Sequence, residues 1–294
     1  MKNESPFITY FSHTVLILFS LACIIPFVLL ISASLTDQSA LIAHGYSLFP
    51  SKFSTLAYDY LFMRGEDIIR AYGVSFFVTI VGTSVGLSLT LLMAYPLSRA
   101  ETPYRSVILF LVFFSMLFSG GMIPSYLVYS SILGLKNTIW VLIVAGVLTN
   151  GYYIMMMRIF LQGSMSKDLI ESAQLDGASE YRVFWSIIIP TSTPILAVVG
   201  LFTAIFYWND WQTGMIYITN PKLFSIQNLL QRIMQDIQFI QSNMAANAGE
   251  AMAQMPSDTV KMAIAVCGSL PILIAYPFFQ KFFIKGIMFG AVKG

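Results

Sequence analysis

The sequence predicts an all-α membrane protein: six transmembrane helices, with one short polar helix held at the cytoplasmic face. Three observations carry this. The chain of 294 residues is 57% hydrophobic and 10% charged, with a mean hydropathy of +0.74, whereas a soluble domain carries about 25% charged residues. Its charge-free stretches are long enough to cross a bilayer, which takes about 20 apolar residues in a helix. A compact polar run, ESAQLDGASEYRVFWSIIIPTSTP at 171–194, breaks off between two of them.

The first span is 14–34. Only Lys2 precedes it and no small-x-small cleavage site follows, so it reads as a retained helix and not a signal peptide. SLAC at 20–23 has serine where a lipoprotein cleavage box wants leucine. Spans at 74–97, 106–131 and 138–158 follow. GTSVG at 82–86 is a G-x-x-x-G, a spacing that lets helix backbones approach closely. The third span is too long for one straight crossing and contains SGGMIP at 119–124, so a kink shielded by protein neighbours is expected there. Spans at 191–209 and 262–280 complete the set. Segments 98–105 and 161–190 and both termini hold slightly more Lys and Arg than 35–70 and 210–260. The positive-inside rule therefore places the former in the cytoplasm and the latter outside.

Several functions find no footing. A net charge of +2 gives no case for nucleic acid. Cys23 and Cys267 sit in apolar runs and read as small hydrophobes, and His13 and His44 lack neighbours at ligand spacing, so no metal site is expected. No catalytic residue stands out either.

The polar run has internal order. Asp168 and Glu171 have capping-box spacing, which starts a short helix at Asp168. Gly177 is its natural stop, since glycine tolerates a left-handed residue after a helix. Ser179 is placed to cap the next helix, and Pro190 and Pro194 kink that helix as it enters the membrane.

This order resembles the EAA motif of ABC importer permeases: Glu-Ala-Ala, three residues, Gly, nine residues, Ile, one residue, Leu-Pro. The matching positions are Glu171, Ser172, Ala173, Gly177, Ile187, Ile189 and Pro190, with serine for the second alanine and isoleucine for leucine. LDGAS, including Asp176, is similar to the carbohydrate-uptake branch. FSGGMIPSY at 118–126, YWNDW at 207–211, MPSDTVKMA at 255–263 and KGIMFGAVKG at 285–294 extend the likeness to permeases of the oligosaccharide and maltose type, a group that includes a subunit of an alginate importer. The resemblance implies the type I importer permease fold, in a bacterial inner membrane, working by alternating access. It implies that Glu171, Ser172, Ala173, Asp176, Gly177, Ile187 and Pro190 form a coupling helix and its mount, docked on a dimer of cytoplasmic ABC ATPases. This chain has no G-x-x-x-x-G-K-[ST] loop to cradle phosphates, so ATP and Mg²⁺ belong on that partner. A second, homologous permease chain and an extracytoplasmic sugar-binding protein complete the implied set, and a glycine-ended tail reaches the ATPase in relatives.

Outside, Ile226, Leu230, Ile233, Ile237 and Ile240 fall at helical spacing and predict an amphipathic helix over 225–242, packed on the protein since its polar face lacks a lysine-rich character. Residues 242–258 follow as a small, polar loop. Asn243, Asn247 and Gly249 are its candidates for binding-protein contact, a role the resemblance implies. Tyr207, Trp208, Asn209 and Asp210 end the fifth span and support two readings: Trp208 and Trp211 as interfacial anchors, or a saccharide path of aromatic faces and hydrogen-bonding groups. The competing function is an ion- or proton-coupled secondary transporter or a channel. Such proteins keep ionisable groups inside the membrane, and these spans carry them only near their ends. An intramembrane enzyme would need a placed nucleophile or metal, and a scaffold would not need an ordered coupling motif.

Overall fold

The structure, a computed structural model, describes residues 6–63, 65–146, 148–164, 167–245 and 257–291, with the side chains of 6–9, 167–169, 241, 243–245, 257, 278–279 and 281–291 left out. Every regular element is a helix, and no strand occurs among the described residues. The chain divides into two compact units, Met1–Ile68 with Leu230–Pro271, and Ile69–Leu229 with Ile272–Gly294.

The first unit begins with α1 (Pro6–Ser34), followed by two short helices, α2 (Gln38–His44) and α3 (Leu56–Phe62). Asp37 caps α2 by accepting from the Ser39 amide at 3.1 Å. Ser34 and Tyr58 share a hydroxyl hydrogen bond at 2.8 Å, which fixes α3 against the end of α1. The buried Gln38 accepts from the Thr259 amide at 3.1 Å, satisfying one of the orphan donors at the start of a later long helix.

The second unit takes most of α4 (Gly65–Ser98), then α5 (Arg105–Leu117), α6 (Met122–Leu127) with its π-helical continuation to Ile132, α7 (Ile139–Val144) and α8 (Gly151–Ser164). The kink expected at SGGMIP is present, but residues 118–124 are exposed and this chain does not supply the expected shielding. Phe118 is extended, Gly121 has φ +81°, and the axis turns by 112° between α5 and the α6 segment. The stretch 138–158 is not one helix: it stops after Val144 and restarts at Gly151, where Asn150 accepts from the Tyr152 amide at 2.8 Å as an N-cap. Among the described residues, three helices are long and apolar enough to cross a membrane singly: α1, α4 and α15 (Ser257–Ala291). Two further bent pairs would bring the number to five.

Polar ties hold the loops of this unit. Asn137, at φ +60°, accepts from the amides of Thr219 at 2.7 Å and Asn220 at 3.1 Å, and donates to Thr219 Oγ1 at 2.6 Å. Asn228, fully buried, donates to the Trp211 carbonyl at 3.1 Å. That carbonyl also accepts from the Met215 amide at 3.0 Å, so Asn228→Leu removes one of its two bonds, a loss of about 0.5–1.5 kcal/mol. The purified variant is expected to show a lower thermal midpoint in detergent; an unchanged midpoint would show the bond to be dispensable.

The amphipathic stretch folds as α14 (Ile226–Ala245). Ile226, Leu229, Leu230, Ile233 and Ile237 are all buried, so its apolar face packs on protein as its composition predicts. Asn243 lies in α14 with its side chain outside the described residues, and Asn247 and Gly249 lie outside them altogether.

Candidate functional site

The polar run forms a helix, a tight turn and a second helix. The first, α9 (Lys167–Leu175), already includes Asp168 in its opening turn, so the start lies before the position that capping-box spacing marks. Its end is a Schellman turn. The Ala178 amide donates to the Ala173 carbonyl at 2.9 Å, the Gly177 amide donates to Gln174 at 3.0 Å, and Gly177 sits at φ +79°. No atom would meet a Cβ there, so backbone conformation and not space requires the glycine. Ser179 then caps α10 (Glu180–Val183), accepting from the Arg182 amide at 3.3 Å.

Beyond α10 the helix widens into a π-turn at Phe184–Ile188, passes through α11 (Ile189–Thr191) and bends by 74° into α12 (Thr193–Asn209). The bend falls between Pro190 and Pro194, neither of which has an N–H to offer the carbonyl four residues back. The Thr193 hydroxyl donates to the Pro190 carbonyl at 2.8 Å and supplies the bond that Pro194 omits.

The motif residues separate into two groups. Glu171, Ser172, Asp176 and Gly177 are exposed. Ala173 and Ile187 are half-buried against a core of Leu91, Ala94, Leu97, Met157, Leu161, Val183 and Ile188, and Ile170 joins them. Pro190 is exposed on α11, past the π-turn and off the α9 helix. So α9 is mounted on packed apolar side chains and turns a polar face outward. Leu175 breaks that polarity: it is 89% exposed at the end of α9, with Tyr181 at 74% and Trp185 at 54% on the following helix. Leu175 stands one helical turn after Glu171 and next to Asp176, so α9 presents an exposed apolar side chain flanked by acids, of the kind a protein interface uses. The motif spacing did not mark these three residues.

A cleft of about 270 Å³ opens beside α9, lined by Ser98, Arg99, Glu101, Arg105, Gln162, Ile170 and Glu171 among others. At its edge the Glu180 carboxylate gathers three donors: Arg99 Nη1 at 2.6 Å and Gln174 Nε2 at 2.7 Å on one oxygen, and the Tyr95 hydroxyl at 3.0 Å on the other. Partial burial works against its ionisation, but the bonds from Arg99 and Tyr95 outweigh this and hold Glu180 below its ordinary value of 4.5. Arg105 Nε at 3.0 Å and Arg158 Nε at 2.9 Å both donate to the Leu97 carbonyl, placing two cations at the C-terminal end of α4 where the helix dipole favours them.

In the YWNDW group the first two rings are buried. Tyr207 is 3% exposed and donates to the Ile143 carbonyl at 2.8 Å. Its ring occupies space left by two glycines: a Cβ on Gly82 would lie 2.6 Å from Tyr207 Cζ, and one on Gly146 2.9 Å from Cε1. The G-x-x-x-G in α4 therefore admits a side chain at Gly82. Trp208 is 5% exposed and packs on Phe76 at 5.2 Å and Tyr72 at 6.3 Å. Neither ring offers a free face for a sugar in this conformation, and Trp208 is core where an interfacial anchor was one expectation. Trp211 keeps partial exposure. Asn209 donates back to the Ile205 carbonyl at 3.0 Å, and Asp210 accepts from the Thr213 amide at 3.0 Å, capping α13 (Gln212–Tyr217).

Comparison with known proteins identifies this architecture. Residues 86–288 match the model of the family described as "Binding-protein-dependent transport system inner membrane component". The chain is 41% identical over 273 residues to Protein LplC of Bacillus subtilis (strain 168), covering 92% of this chain and 90% of that one. It is 39% identical over 281 residues to the polygalacturonan/rhamnogalacturonan transport system permease protein YtcP of the same organism, covering 95% and 96%. In structure it is similar to a chain of a bacterial ABC transporter involved in the import of the acidic polysaccharide alginate, with a TM-score of 0.78, 25% identity, and coverage of 96% of this chain and 99% of that one. The chain belongs to the family of binding-protein-dependent transport system inner membrane components.

Proposed function

We propose that this chain is one of two permease subunits of an ATP-driven importer, passing an oligosaccharide from an extracytoplasmic binding protein into the cytoplasm by alternating access. On this reading both termini and α9 face the cytoplasm. The second permease is a homologous chain, and α9 docks on a dimer of ABC ATPases that holds the ATP and Mg²⁺. The observation that carries the reading is the exposed Leu175 on a short helix that is rigidly ended, mounted on the core and rimmed by acids. A lever needs stiffness and a fixed mount, and its partner surface needs an apolar centre. The relatives named for polygalacturonan and alginate transport make an acidic oligosaccharide the first cargo to test.

The test is recovery of partners from native membrane in mild detergent, read by mass spectrometry and ATP hydrolysis. The wild-type chain is expected to bring down an ATPase and a second permease. Leu175→Glu places a charge at the centre of the surface and is expected to lose the ATPase while keeping the second permease. Recovery of the ATPase at wild-type level with Leu175→Glu would remove α9 as the docking element.

A further inference from the structure

We infer that Glu180 is a positioning residue, which locks the α9 turn to the cytoplasmic end of α4 so that the two move as one body. The inference rests on the coupling reading of α9. Glu180 is not part of the motif, and its importance comes from what it joins. Gln174 lies before the Schellman turn, Glu180 after it, and Arg99 and Tyr95 lie 81 and 85 residues away at the end of α4. One carboxylate thus ties three chain segments, with each of its oxygens engaged. Arg99 also donates to the Tyr95 hydroxyl at 3.2 Å, closing the network on itself.

A simple surface ion pair would predict very little. Exposed pairs contribute about 0–1 kcal/mol to stability, and the Glu180 side chain is 56% exposed. Three features separate this one. The Tyr95 ring is buried and its hydroxyl is directed at the carboxylate. The Arg99 side chain is only 23% exposed. The apolar contacts of Ile170, Ala173 and Ala178 with the core fix α9 in depth, while the carboxylate network fixes it to α4 by directed bonds. Stability is therefore expected to change little and geometry a good deal.

The experiment uses the full complex in nanodiscs, with Cys23 and Cys267 replaced and spin labels at Tyr104→Cys and Arg182→Cys, both sites exposed, outside the network and outside the Leu175 surface. Distances are measured without nucleotide and after trapping with ATP and vanadate. With Glu180 present, one narrow distance is expected, the same in both states. Glu180→Ala is expected to broaden it and make it state-dependent, with the ATPase still bound and its KM for ATP unchanged. Vanadate-sensitive turnover should fall by about fivefold or more, the lower end of a typical coupling factor. Exchanging the charges, Arg99→Glu with Glu180→Arg, should narrow the distance again and restore part of the turnover. An unchanged distance and turnover in Glu180→Ala would overturn the inference, as would failure of the exchange to restore either. Absence of an ATPase from the wild-type complex would instead overturn the coupling reading, so the two failures are distinguishable.

Discussion

Gly177→Pro is expected to abolish recovery of the ATPase with this chain, and a series at this position should rank glycine, asparagine, alanine, proline in falling order. The ranking follows from the turn. At φ +79° an L-residue pays about 1–2 kcal/mol for its Cβ, and asparagine less, because its short polar side chain tolerates the left-handed region. Proline is locked near −65° and has no N–H, so it cannot take that φ and loses the bond to the Gln174 carbonyl. It also pushes Asp176 out of the helical region, and the Asp176 amide donates to Ser172 at 3.0 Å. A cost of about 3 kcal/mol or more corresponds to roughly 100-fold in an equilibrium. Alanine, at about 1–2 kcal/mol, should weaken recovery by roughly 5- to 30-fold. The measurement is the ATPase-to-permease ratio in the detergent eluate, with protein amount in the membrane as the control for folding. A proline variant that recovers the ATPase like wild type would show that the turn does not present the docking helix.

The features that were legible in the sequence share one property: their causes are local. Gly177, Ser179, the SGGMIP break and the proline pair each act within a few residues of themselves, and each is found where its chemistry places it. The apolar period of 226–240 is equally local, and its burial follows. What the sequence hid depends on distant partners. Glu180 reads as one more acid in a polar loop until α4 brings Arg99 and Tyr95 to it. Tryptophan at the end of an apolar run reads as an interfacial anchor, because the local rule has no knowledge of Tyr72 and Phe76 some 130 residues earlier. The break between Val144 and Gly151 was missed for a different reason: the sequence there contains no charge, so a scan for uncharged stretches passes through it, although Asn150 is a capping residue for the helix that restarts at Gly151. Leu175 was overlooked because an apolar residue inside a helix is expected to face the core, and here Ile170 and Ala173 take that side.

The second large effect is expected where Tyr207 meets Gly82, and it also decides what the YWNDW group is for. A single methyl on Gly82 would stand 2.6 Å from the Tyr207 ring, and ring atoms cannot yield as a flexible chain end does. Overpacking of this kind costs about 1–3 kcal/mol. Tyr207→Leu removes the ring and with it the donor to the Ile143 carbonyl, one of the orphan acceptors where α7 ends; the lost packing and the stranded acceptor should together cost a further few kcal/mol. The two changes should not add. Once the ring is gone, Gly82→Ala should be nearly neutral, giving a coupling energy within the range of about 0.5–3 kcal/mol seen for residues in contact. Thermal midpoints of the four proteins in one detergent measure it. Additive effects would mean that the ring does not occupy the glycine's space, and Tyr207 would then be free to turn toward a transported sugar. Coupled effects keep Tyr207 as a strut that closes α7 against α4 and α12, and they move the search for the saccharide path to other residues of this chain or to its partner permease.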